Sequence, residues 1–311
     1  MVMAKILADY GPPLDASSAT DATEWLACLA EMVAQTGYLE PLGQRHWALA
    51  AIEGPTLLVT FEGLDDIRAQ HPSQLPLGFR VARSKGWSHL CIIADGPTWW
   101  RDGDVYGFID TLIDAAFLED FDKVLFYGAG AGAYAAATFS VAAPGATVLA
   151  IQPVATLDPS IAGWDRRFIT HRRLNFTDRY GYAPDMVQGA NQVFLVLDPT
   201  QKEDAMHAAL FQGPQIARLH CPYFGQDIEQ GFLRMGRLID LIEAAGEGRM
   251  TSALFATQWR ARRSHRPYLT SLINLNRELG NSDRAIRVCR HAIRTLNDLR
   301  FKHLLDDLLR D

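Results

Sequence analysis

The chain has 311 residues, 48% of them hydrophobic and 21% charged, with a formal net charge of −6. That length allows one large domain or one domain plus an appendage, while the acidic balance argues against bulk nucleic-acid binding. No stretch reaches the length of a membrane helix, and Cys28, Cys91, Cys221 and Cys289 show neither metal-ligand spacing nor a disulfide framework.

Taken in chain order, residues 1–19 carry Pro12, Pro13 and a Ser/Ala/Thr run, which predicts an extended arm. Trp25, Leu29, Met32, Val33 and Thr36 recur at helical spacing, so 21–36 is predicted as an amphipathic docking helix. Leu57–Phe61 and His89–Ala94 are apolar strands. Val105–Leu118 is a helix with Phe108, Leu112 and Ala115 on its apolar face. Lys123–Tyr127 is a strand, and Ala131–Ala142 the helix after it, stopped by Pro144 and Gly145. Thr147–Ile151 and Gln192–Leu197 are strands, Asp204–Phe211 a helix, Gln215–His220 the last strand, and Ile228–Ala245 one long helix. Near-continuous apolar strands alternating with helices predict a mostly parallel sheet covered on both faces. From 251 onward strand signals stop. The expected organisation is a 1–45 arm and docking helix, a 46–250 α/β domain and a 251–311 helical appendage.

The most informative stretch is Tyr127-Gly128-Ala129-Gly130-Ala131-Gly132-Ala133-Tyr134-Ala135-Ala136. A strand runs into a turn of small residues and then into an alanine-rich helix. It resembles the nucleophile elbow of the α/β-hydrolase superfamily, in its esterase-like form, where G-x-S-x-G places a serine on a sharp turn. Small flanking residues are needed because the strand and the helix approach closely there. The nucleophile position is held by Gly130, which has no side chain. The competing nucleotide-binding turn is disfavoured: Gly128, Gly130 and Gly132 are not in G-x-G-x-x-G spacing, no P-loop lysine follows, and the strand is a middle one.

The resemblance implies a three-layer α/β/α fold and an acid after the next-to-last strand, at Asp198 or Asp204. It implies a histidine after the last strand, where Gly225-Gln226 stands. A glutamine amide cannot take a proton at neutral pH. With nucleophile and base both missing, covalent acyl transfer is not expected. Backbone donors at Gly63, after Phe61-Glu62, and at Ala131 match the oxyanion-loop and elbow positions, so a binding pocket is expected to outlast catalysis. A working enzyme would need another set, Asp198 or Asp204 with His207 or His220. Between the strands at 151 and 192, at about 155–190, lies an insert where the superfamily carries caps. Its Arg166, Arg167, Arg172 and Arg173, with Arg179 and interleaved aromatics, are expected to clamp an anionic small molecule, with a glycan-like ligand or a docking role as alternatives; Trp99-Trp100 would border the same rim. Glu278–Ile286, with Gly280, Ala285 and Ala292, resembles one tetratricopeptide helix pair, which implies for 251–311 either a helical hairpin docked on the main domain or a docking surface for a protein partner. No cofactor, metal, nucleic acid or membrane is expected. A signal-peptide pattern is not evident, and the cytoplasm is the expected compartment.

Overall fold

The computed structural model describes residues 14–310; Pro12 and Pro13 of the expected arm lie outside them. Eight strands form one sheet: β1 (Gly37–Leu42), β2 (His46–Ala51), β3 (Thr56–Gly63), β4 (Ser88–Ala94), β5 (Lys123–Ala129), β6 (Thr147–Ile151), β7 (Gln192–Leu197) and β8 (Ile216–His220). Their spatial order is β1-β2-β4-β3-β5-β6-β7-β8. β2 runs antiparallel to β1 and β4, and all other neighbours are parallel. The strands from β3 to β7 are buried almost end to end, as a sheet covered on both faces requires.

The helices in chain order are α1 (Ala22–Val33), α2 (Leu64–Gln70), α3 (Leu77–Lys85), α4 (Gly103–Asp114), α5 (Ala131–Phe139), the short α6 (Pro159–Ala162) and α7 (Ala183–Met186), α8 (Lys202–Leu210), α9 (Ile228–Arg234), α10 (Leu238–Gly246), α11 (Ser252–Trp259), α12 (Arg266–Glu278), α13 (Ser282–Leu296) and α14 (Leu299–Leu308). One face of the sheet packs against α4, α5 and the 155–190 insert through Val59, Phe61, Phe126, Phe139 and Tyr134. The other face packs against α3, α9, α10 and α11 through Leu58, Leu125, Tyr127, Phe232 and Trp259. Near the sheet edge, α1 docks as its spacing predicts, burying Trp25, Leu29 and Val33 and capped by Asp21. The architecture is three-layer α/β/α, mostly parallel and α/β-hydrolase-like, with a helical C-terminal region. None of the described helices is long and apolar enough to cross a membrane.

Three expectations change. The 37–42 segment, placed with the N-terminal arm, is edge strand β1; the 45/46 boundary cuts the β1–β2 hairpin. Glu40 and Pro41 break its apolar alternation, and alanine-rich β2 has weak strand propensity. The helix expected over Ile228–Ala245 is two helices. Gly236, at φ 66°, ends α9 and lets the N–H of Arg237 return to the Phe232 carbonyl, closing the turn. Finally, α11 lies after the 250/251 boundary yet places Phe255 and Trp259 in the main core. A separate cluster, Leu269, Ile273, Ala285, Cys289, Ala292, Phe301 and Leu308, holds α12–α14 together.

Candidate functional site

The elbow has the geometry its small residues demand. Gly130 adopts φ 56°, ψ −118° between β5 and α5, a backbone conformation hard for any side-chain-bearing residue. A Cβ on Gly128 would stand 2.1 Å from the Gly132 carbonyl oxygen, and one on Gly132 would stand 2.5 Å from that of Phe61. A Cβ on Gly130 would meet nothing within 4 Å. The frame is closed around its neighbours and open where a nucleophile would project.

Beside the elbow lies a cavity of about 380 Å³ at the C-terminal ends of β3, β4 and β5. Gly63 and Ala131 both line it, and the Ala131 N–H, at the first position of α5, has no intrahelical acceptor. Trp99 and Trp100 also line it, both at positive φ. Its ionisable lining is acidic: Glu62, Asp65, Asp66 and Glu229, with no lysine or arginine among the lining residues. Serine, cysteine and histidine are likewise missing from that lining.

Tyr127, at the end of the elbow strand, donates its hydroxyl hydrogen to Glu229 Oε1. Burial, with a smaller push from the charge on Glu62, drives the Glu229 carboxyl up to about 7 despite that bond. The native state therefore holds the Glu229 proton between the ordinary value of 4.5 and about 7, where the unfolded chain has released it. Stability contributed at this site falls as pH rises through that window. Glu229→Gln keeps the acceptor for Tyr127 and removes the penalty. It should be more stable than the wild type by about 2 kcal/mol at about pH 8, with no gain at about pH 4.5, in urea titrations at the two pH values.

The expected triad positions behave differently. Asp198 is buried, and its carboxylate accepts from the N–H groups of Thr200 (2.9 Å), Tyr223 (3.0 Å) and Gly225 (2.8 Å) and from the Thr200 hydroxyl (2.7 Å). It pins the loop after β8, the place where a superfamily acid would hold its histidine. Gln226, in that loop, is exposed and does not line the cavity. His220 is exposed on β8.

Asp204 does not cap its helix, α8, whose N-cap is Gln201. It sits buried inside α8 and pairs with Arg167 at 2.5 Å. Arg167 also forks onto Asp165 (2.9 Å), whose carboxylate accepts from His207 Nε2 at 3.0 Å. His207 Nδ1 accepts the Ala155 N–H at 3.2 Å, so the proton lies on Nε2. Burial lowers the His207 pKa more than its bond to Asp165 raises it. Burial pushes Asp165 up, but the bonds from Arg167 and His207 outweigh it and hold the carboxyl below the ordinary range. This buried network ties the insert to α8. None of its members lines the cavity.

The arginines expected to clamp an anion are not brought to the cavity either. Arg172 donates to the carbonyls of Ala162, Gly163 and Asp165. Arg166 and Arg173 are exposed on the insert. No insert residue lines the cavity; the insert packs beside it, on α5, with the Tyr180 carbonyl accepting from Tyr134 and Thr138.

One hydroxyl at the cavity does face an imidazole: Thr98 Oγ1 lies 2.7 Å from His46 Nε2. Thr98 and Asp102 have structural tasks, while His46 Nδ1 is buried without a hydrogen-bond partner. The Thr98 oxygen accepts the Trp100 N–H at 3.2 Å and closes the turn after β4, and Thr98 is 5% exposed. Asp102 caps α4 through the Asp104 N–H and stands 3.9 Å from His46 Nδ1, beyond hydrogen-bond range. Sequence spacing gave no sign of this pair, nor of Glu62, Tyr127 and Glu229 meeting at one cavity, because these residues come from distant elements.

No family model matches the chain, and neither does any curated protein. Among solved structures, it is similar to an S-formylglutathione hydrolase from Agrobacterium tumefaciens at 13% identity and a TM-score of 0.46, over 67% of this chain and 91% of that one. It is also similar to brefeldin A esterase, a bacterial homologue of human hormone-sensitive lipase, at 14% identity and a TM-score of 0.40, over 83% and 93%. A third is the capsule O-acetyltransferase of Neisseria meningitidis serogroup A, at 11% and 0.40, over 66% and 94%. The fold description rests on this chain's own strand order and elbow.

Proposed function

We propose that this chain is a catalytically inactive protein of the α/β-hydrolase type whose elbow cavity binds a small ligand. Gly130 carries this conclusion. It stands in the strained turn with open space in front of it and offers no atom to attack a carbonyl. Gln226 gives no base, and the alternative set of Asp204 and His207 serves to anchor the insert. The acidic cavity disfavours the anionic ligand expected from the arginines and suits the glycan-like alternative, whose hydroxyls would donate to carboxylates. Four free cysteines, three of them buried, fit a reducing compartment such as the cytoplasm. The test is turnover of short p-nitrophenyl esters. The protein should leave the rate at that of buffer alone; a saturable rate abolished by His207→Ala would support the alternative enzyme instead.

A protein partner for 251–311 is a second proposal, favoured by charge. This region has twelve Lys/Arg against six Asp/Glu in a chain of net charge −6. Its α13 exposes Arg284, Arg287, Arg290 and Arg294. Pull-downs with the full chain and with an Arg287→Glu/Arg290→Glu/Arg294→Glu variant would test it; binding unchanged by the charge reversal would count against it.

A further inference from the structure

Behind the cavity wall, β3 and β4 place a second group of chemistry-bearing side chains on one sheet face. Thr60 is paired in register with Cys91, and Leu58 with His89, so Thr60, Glu62, His89 and Cys91 project to the same side. Donor atoms of Glu62, His89 and Cys91 all lie within 4.8 Å of one another. The start of α3 closes over them: a Cβ on Gly78 would stand 2.4 Å from His89 Nε2.

We propose that Glu62, His89 and Cys91 form a binding site for one divalent transition-metal ion, with zinc the best match. The donor set is a carboxylate, an imidazole and a thiol, the three ligand types zinc accepts, and three protein ligands leave a fourth position for water or the Thr60 hydroxyl. Zinc with a carboxylate and a thiolate is neutral overall, which suits a buried position. Tetrahedral zinc holds such donors about 3.5 Å apart, so the cluster needs only a small contraction.

The outer shell is already built. Glu62 accepts the N–H groups of Leu77 at 2.7 Å and Gly78 at 2.9 Å, which fix its carboxylate at the start of α3. Thr60 Oγ1 lies 2.9 Å from both Glu62 Oε1 and His89 Nε2. The hydroxyl donates to Glu62 and its oxygen accepts from the His89 Nε2–H; rotation about the C–O bond and a shift of the imidazole proton to Nδ1 free both donors for an ion. His89 is not a satisfied core histidine: it is 1% exposed and its Nδ1 has no hydrogen-bond partner. Glu62 and Leu77 also line the elbow cavity, so the carboxylate end of the cluster borders it. Burial pushes the Cys91 thiol and the Glu62 carboxyl up and pulls His89 down to about 3. A thiol ligates zinc as the thiolate, so binding releases the Cys91 proton and affinity should rise with pH. This site stands or falls independently of Gly130, since it needs neither a nucleophile nor an organic ligand.

The test is cobalt(II) titration of the full chain after chelator treatment. One equivalent should produce a thiolate-to-cobalt charge-transfer band in the near ultraviolet, and zinc should abolish it by displacement. Cys91→Ala should remove the band, whereas Cys28→Ala, at the half-buried cysteine, should keep it. His89→Leu removes a ligand and an unsatisfied buried nitrogen together, so it should fold at least as well as the wild type. It should bind zinc at least about tenfold more weakly, which decides the matter if Cys91→Ala does not fold. No band in the wild type, a band lost only in Cys28→Ala, or wild-type zinc affinity in His89→Leu would overturn the assignment.

Discussion

Gly128→Ala and Gly132→Ala should each destabilise the protein by more than about 3 kcal/mol, enough to leave little soluble chain. At both positions the new Cβ runs into backbone carbonyl, at 2.1 and 2.5 Å. These carbonyls belong to the start of α5 and the end of β3, which cannot give way without separating helix from sheet. Gly130→Ser should behave otherwise. Its side chain enters open space, so only the left-handed φ of 56° opposes it. That strain costs about 1–3 kcal/mol. Chemical denaturation of the three variants therefore has a predicted order, with Gly130→Ser the mildest. An order in which Gly130→Ser is the most damaging would mean that the elbow is not built as described.

The second large effect is at Asp165. Removing its carboxylate with Asp165→Ala leaves the His207 Nε2–H and much of the Arg167 guanidinium unpaired in a mostly buried setting. The expected loss is about 3 kcal/mol, at the lower end for a broken buried ion pair because Arg167 keeps Asp204 and some solvent contact. The insert should loosen first, since this network and the bonds to the Tyr180 carbonyl hold it to α8 and α5. Trypsin should then cleave after Arg166, Arg172 or Arg173 faster than in the wild type. Wild-type protease resistance in Asp165→Ala would contradict an anchoring role for the network and return His207 to consideration as a reactive group.

Much of the fold was legible because burial on both faces writes an unbroken apolar run. β6 and β7 fall on the residues expected from Thr147–Ile151 and Gln192–Leu197. The elbow was legible for a stricter reason: three glycines in five residues answer to two backbone contacts and one forced dihedral. The β1–β2 hairpin was not, because an exposed edge strand with Glu40 and Pro41 lacks the pattern that burial imposes. The division between α9 and α10 hung on Gly236, which a continuous apolar face concealed. Side-chain partnerships were least legible. Arg167 looked free to clamp a ligand, yet its partners Asp165 and Asp204 lie two and thirty-seven residues away, and only the fold brings the second of them close. Glu62 and Glu229 meet the same cavity from β3 and α9, a meeting no local spacing records.

A mechanism-based probe reaches the central claim most directly. Full-length protein incubated with excess fluorophosphonate and measured by intact-mass spectrometry should keep its unmodified mass, because Gly130 offers no nucleophile and the cavity hydroxyl that faces an imidazole, Thr98 Oγ1, closes the turn after β4. A single covalent adduct, mapped by peptide fragmentation to Thr98 or any other residue of the cleft, would show a competent nucleophile and refute the idea that this hydrolase-like scaffold is chemically inert.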